Sequence, residues 1–111
     1  MMSEGMDFNL TSFACNEDVS RILAMTHSDP KCVKEISSRL RIPISRCYRR
    51  IKEMVDMGMI SSVGTDGNNA AVYESNLRSM RILLKDRKLW ISMEFKDGRV
   101  KKAEYRPDAE E

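Results

Sequence analysis

The stretch VKEISSRLRIPISRCYRRIKEMVDMGMI, residues 33–60, decides how this chain is read. Val33, Ile36 and Leu40 stand three and four apart, which puts their side chains on one face of a short helix over Lys31–Leu40. Arg41-Ile42-Pro43 then breaks the period. Proline drives the preceding residue out of helical geometry and is itself tolerated at a helix start, so Pro43 punctuates a turn between two helices. Beyond it, Ile44, Cys47, Ile51, Met54, Val55 and Gly58 keep the helical period and form a packing side, while Ser45, Arg46, Arg49, Arg50 and Lys52 fall mostly elsewhere around the axis. This longer helix runs from Ile44 to Met57. Gly58 suits the left-handed conformation that stops a helix and redirects the chain into Met59-Ile60-Ser61-Ser62-Val63.

On the N-terminal side, Asn16 can cap an earlier helix. Glu17 and Asp18 suit the positive end of its dipole, and Val19, Ile22, Leu23 and Thr26 make its inward stripe before Asp29-Pro30 ends it. On the C-terminal side, Gly64 to Asn69 is rich in residues that tolerate positive φ and separates the strand at 59–63 from Ala70-Ala71-Val72-Tyr73, a β-hairpin pattern. Past Glu74 the pattern forks: Leu77, Met80, Leu84 and Lys88 would line a helix, whereas Met80, Ile82 and Leu84 alternate like a strand. Leu89, Ile91, Met93 and Phe95 alternate cleanly, which favours a second hairpin over 76–98 with its turn at Lys85 to Lys88; a dimerisation helix over 77–95 is the alternative. Residues 1–15 read as an N-terminal arm, 16–75 as the domain itself and 99–111 as a charged tail.

At 111 residues the chain suffices for one hydrophobic core, and 41% hydrophobic with 32% charged residues excludes collagen-like and disordered classes. No apolar run reaches membrane-spanning length and no secretory leader is visible, so a cytoplasmic protein without membrane contact is expected. The net charge of +2 conceals strong segregation. Residues 1–30 carry −4, residues 31–52 carry +7, residues 53–77 carry −4 and residues 78–111 carry +3. A basic block confined to one segment of a nearly neutral chain is the footprint of a nucleic-acid contact, although basic helices also bind acidic proteins.

Val33-x-x-Ile36-x-x-x-Leu40-x-Ile42, then Ser45 to Met54, then Val55-x-x-Gly58-Met59-Ile60 resemble the winged helix-turn-helix domain of archaeal and bacterial transcription regulators, in particular the arsenical-repressor-like superfamily. The resemblance covers about residues 16–75. It implies an α+β fold, a three-helix bundle with a β-hairpin wing, here followed by a C-terminal β-hairpin. It also implies a sequence-specific regulator that binds double-stranded DNA with recognition helix 44–57 in the major groove, as a homodimer reading half-sites about one helical turn apart.

Carried onto this chain, the resemblance makes Ser45, Arg46 and Arg49 the base-reading candidates and Lys31, Lys34, Arg50 and Lys52 the phosphate contacts. Tyr48 either meets DNA or turns its ring inward beside Ile51 and Val55. The wing departs from the family: between Thr65 and Asn69 the only charge is Asp66, leaving Thr65, Asn68 and Asn69 to reach DNA. The bare wing lends weight to another role, a winged-helix protein-interaction module without sequence-specific reading. RNA binding has weaker support, from Trp90 and scattered tyrosines.

Three cysteines, Cys15, Cys32 and Cys47, are too widely spaced for a paired-cysteine metal or redox motif, and His27 alone does not complete a ligand set. No metal, cofactor or small-molecule ligand is expected. With one histidine and neither a nucleophile motif nor a phosphate loop, catalysis has little material, and an enzyme is not expected.

Overall fold

The computed structural model describes residues 13–105. The N-terminal arm expected over 1–15 therefore lies outside the described residues up to residue 12, and the charged tail does so from residue 106. The elements are α1 (Glu17–Met25), β1 (Lys31–Cys32), α2 (Val33–Leu40), α3 (Ile44–Asp56), β2 (Ile60–Thr65), β3 (Ala71–Ser75), β4 (Leu77–Lys85), β5 (Lys88–Phe95) and β6 (Val100–Tyr105). They divide into two compact units, Glu17–Leu77 and a second comprising, of the described chain, residues 13–16 and 78–105.

In the first unit three helices bury the stripes that their spacing dictates. Val19, Ile22 and Leu23 of α1, Val33 and Ile36 of α2, and Cys47, Ile51 and Met54 of α3 form one core with Ile42, Met59 and Ile60. Burying a side chain of this size contributes about 1.5–3 kcal/mol, so the helices hold by packing rather than by propensity. The turn between α2 and α3 is built as the proline suggests. Arg41 is left-handed (φ 59°), the Ile42 N–H donates to the Ser37 carbonyl at 3.0 Å, and the Ser37 hydroxyl donates to the Ile42 carbonyl at 2.6 Å. The chain leaves α3 by a Schellman exit: Gly58 has φ +78° and donates to Val55 O, and Met59 donates to Met54 O at 2.9 Å.

The first sheet has the order β1-β3-β2, antiparallel throughout. Ser62 pairs with Tyr73 and Gly64 with Val72, so Val63 is the extra residue of a β-bulge. At the tip the Asp66 side chain, not glycine alone, closes the turn by accepting from the N–H groups of Asn68 (2.8 Å) and Ala70 (3.0 Å).

Three expectations change, and at residues 77–95 the preferred strand reading holds over its helical alternative. Lys31 does not begin α2; Lys31-Cys32 pairs with Tyr73 and Val72 as a short strand, and the helix starts at Val33. Ile44 and Val55, expected to pack, are 47% and 39% exposed, because the core takes only the Cys47-Ile51-Met54 stripe of α3. Residues 77–95 form strands rather than a helix, joined by a two-residue turn at Asp86-Arg87 with both φ positive. The tail joins them as well: β6 pairs with β5 over Leu89↔Tyr105 to Glu94↔Val100, giving a three-stranded sheet β4-β5-β6 where a hairpin and a charged tail were expected. Ile91, Met93 and Phe95 share its buried face with Ala103, as the alternation predicts.

Candidate nucleic-acid interface

The third helix presents three sides, each with its own role. Cys47, Ile51 and Met54 face the core. Arg46, Arg50 and Glu53, again at i, i+4 and i+7, lie along a flank that meets α1. Ser45, Tyr48, Arg49, Lys52 and Val55 face solvent.

The flank is neutralised internally. Asp18, with only 10% of its side chain exposed, accepts from Arg46 Nε at 2.9 Å and from Arg46 Nη2 at 3.4 Å, a two-pronged pairing. Arg50 Nε lies 3.6 Å from the same carboxylate, and Arg50 Nη1 donates to Glu53 at 3.1 Å. Arg46, expected to read bases, is therefore turned back onto α1, and Arg50, expected on phosphate, is spent on two carboxylates. Lys31 is paired as well: its side chain is 8% exposed and its ammonium sits on Asp29. Arg39 pairs with Glu35 at 3.4 Å on the surface.

Of the eight bases in residues 31–52, Lys34, Arg41, Arg49 and Lys52 remain exposed or half-free without an ion pair among the described residues. Lys34 stands in the first turn of α2, and Arg49 and Lys52 stand on the open side of α3. Tyr48 is 59% exposed, which decides its open assignment: the ring points outward beside Arg49. Between this side of α3 and the sheet lies a groove of about 650 Å³, lined by Tyr48, Arg49, Lys52 and Val55 with Ser62 and Tyr73 from the strands. Asp56 bounds it at the far end of the helix.

The wing tip brings no cation. Thr65, Asn68 and Asn69 are exposed, and Asn69 adopts φ +66°, a turn role. The Asp66 carboxyl is held below its ordinary value, chiefly by the Ala70 N–H, then by that of Asn68. In the core, burial followed by the nearby Asp18 charge pushes the Cys47 thiol up, and its Sγ lies 3.9 Å from the Val33 carbonyl, consistent with a packing role. Among the described residues no three His, Cys, Asp or Glu side chains converge as a metal site, and no helix is long and apolar enough to cross a membrane.

Helix, turn, outward-facing basic helix and strand hairpin in this order decide the architecture. The helical unit has the winged helix-turn-helix architecture. In agreement, residues 20–61 match the family model described as winged helix-turn-helix DNA-binding. Comparison with curated proteins and with solved structures gives no match. The family match runs from α1 through the start of β2, so it contains every exposed cation of the open α3 face.

Asp18 is the residue that pattern reasoning missed. Its place in the first turn of α1 suits the helix dipole, while an acid next to the inward stripe and an Arg46/Arg50 pair at i, i+4 are the sequence signals that point to the pairing. Ser62 and Tyr73 carried no signal, because only strand pairing brings them beside α3.

Proposed function

We propose that this chain is a sequence-specific, DNA-binding transcription regulator of the arsenical-repressor-like kind, acting as a homodimer that lays α3 in the major groove. The observation that carries the reading is selective: once Asp18, Asp29, Glu35 and Glu53 have taken their partners, the cations left over cluster at the open α3 face and the start of α2. Ser45 and Arg49 are the base readers, Arg49 being suited to the paired acceptors of guanine. Lys34, Arg41 and Lys52 grip phosphates, and the groove toward Ser62 and Tyr73 gives the backbone a seat. The wing contributes little charge. Ile82 and Leu84, 45% and 71% exposed on β4, supply the dimer contact. The protein binds rather than catalyses.

The test is selection from a random duplex pool at two salt concentrations. Three phosphate contacts per protomer correspond to a slope of log K against log salt of about −2.7. A palindromic motif retained at the higher salt supports a dimeric reader. A second reading, docking of another protein on α3, is favoured by the exposed Ile44, Tyr48 and Val55 on the helix and Val63 at the bulge; retention without enrichment selects it.

A further inference from the structure

The second sheet has one face that is buried at Ile91, Met93, Phe95 and Ala103 but exposed at Ile82 and Leu84, and a second, open face with a composition that the DNA-reading helix does not use. The two-residue turn at Asp86-Arg87 sets Lys85 opposite Lys88, hence Leu83 opposite Trp90 and Arg81 opposite Ser92. The Ser79 hydroxyl, 3.4 Å from the Glu94 carboxylate, agrees with that register. On the other side, Trp90 pairs with Glu104 and Ser92 with Lys102. Strand alternation therefore puts Leu83, Trp90 and Glu104 in one row and Arg81, Ser92 and Lys102 in the next, opposite to the buried Ile91 and Met93.

The acids of this face are already matched. Glu94 accepts from Arg78 at 3.1 Å, and Glu104 lies 3.6 Å from the Lys88 ammonium. That ammonium also stands 5.3 Å from the centroid of the Trp90 ring. Arg81 and Lys102 have no ion pair among the described residues and are both exposed. Two strand spacings separate them by about 10 Å, near one Debye length at physiological ionic strength, so an anion shared between them relieves their repulsion. Trp90 is 38% exposed one row away, and Leu83, at 54%, leaves apolar surface beside it. An aromatic ring flanked by uncompensated cations on an open sheet face is the chemistry that holds an unpaired nucleotide: the base stacks and the phosphates sit on the cations.

We infer that the open face of the β4-β5-β6 sheet is a second nucleic-acid site, which binds single-stranded DNA or RNA by stacking a base on Trp90 and seating its phosphates on Arg81 and Lys102. It belongs to the other compact unit of the chain from α3 and does not depend on duplex reading by that helix.

Trp90 is the only tryptophan of the chain, so its fluorescence reports on this face alone. The full-length protein is titrated with oligothymidylate, oligouridylate, a duplex of equal length, and heparin. Saturable quenching by the single strands is expected, and whichever of DNA or RNA quenches at lower concentration identifies the natural source. Arg49→Ala leaves that quenching intact, which separates this site from the helix surface. Followed by anisotropy of labelled oligonucleotide, Trp90→Ala weakens binding roughly 5- to 150-fold and Trp90→Phe restores most of it. Arg81→Gln with Lys102→Gln lowers the salt slope by about 1.4. Circular dichroism confirms that each variant is folded. Fluorescence that no single strand changes, or quenching that heparin reproduces in full, overturns the proposal.

Discussion

Arg46→Ala separates a structural arginine from a reading one. Arg46 holds Asp18 with two nitrogens, at 2.9 and 3.4 Å, and Asp18 is 10% exposed while Arg46 is 42% exposed. Removing one partner of a fully buried pair costs about 3–5 kcal/mol, and of an exposed pair about 0–1 kcal/mol. Here the exposed guanidinium discounts the upper figure. Asp18 also keeps Arg50 at 3.6 Å, which prevents it from being orphaned. The loss is therefore about 1–2 kcal/mol. For a unit of about 60 residues that lowers Tm by roughly 5–15 °C. Thermal and urea unfolding measure it, and a double-mutant cycle with Asp18→Asn should give a coupling of about 1 kcal/mol. The base preference of the selected motif should stay unchanged. An Arg46→Ala protein that melts like the parent yet loses discrimination at one base pair refutes the assignment, because the arginine would then be leaving Asp18 to read DNA.

Arg49→Ala should behave in the opposite way, costing about 1–3 kcal/mol of specific binding and relaxing one position of the motif, with Tm within about 2 °C of the parent. Lys52→Gln should weaken binding evenly across sequences and reduce the salt slope by about 0.9. The Asp66 carboxyl lies below its ordinary 3.8 because the folded turn favours the carboxylate. The wing turn is thus fully supported above that ordinary value and loosens as pH falls through the lower folded one; an NMR titration of the Asn68 and Ala70 amides should show a midpoint below 3.8. Burial raises the Cys47 thiol above its ordinary 9.0, so stability should fall once pH climbs past the point where the unfolded thiol ionises. At neutral pH, alkylation followed by mass spectrometry should label exposed Cys15 well before Cys47.

The extent of α3, the proline turn and the glycine exit were legible because each rests on local backbone chemistry. Val33-Ile36-Leu40 and Cys47-Ile51-Met54 state their own faces through spacing. Other features depend on partners distant in sequence. Lys31-Cys32 is a strand only because β3 arrives beside it, and Val100–Tyr105 is one only because β5 offers an edge. Val55 fits the helical period as well as Met54 does, yet the core has room for one stripe and leaves Val55 half in solvent. Tyr48 was undecidable from pattern, since the same spacing serves an inward ring and an outward one. At the interface, residue types were legible and availability was not: Arg46 and Arg49 look alike until Asp18 claims one of them.

The segregated charge of the sequence thus has two components that a count along the chain adds together. The acids of the flanking segments fold back onto the basic block, Asp18 and Asp29 from one side and Glu53 from the other, and each takes a cation that counted toward the +7. Those pairs fix α1 against α3 and the turn against β1; as partly exposed contacts they add little net stability but constrain which way each arginine points. Orientation matters more for function than their energy does. With Arg46 and Arg50 held on the flank, Arg49 and Lys52 stand without competitors on the open side of the helix, where they line a groove together with Tyr48 and Val55. A basic segment is therefore evidence for a nucleic-acid surface only in the part that the fold leaves unpaired. In the basic segment that remainder is Arg49 and Lys52 on the open face of α3, Lys34 at the start of α2 and Arg41 in the turn between them.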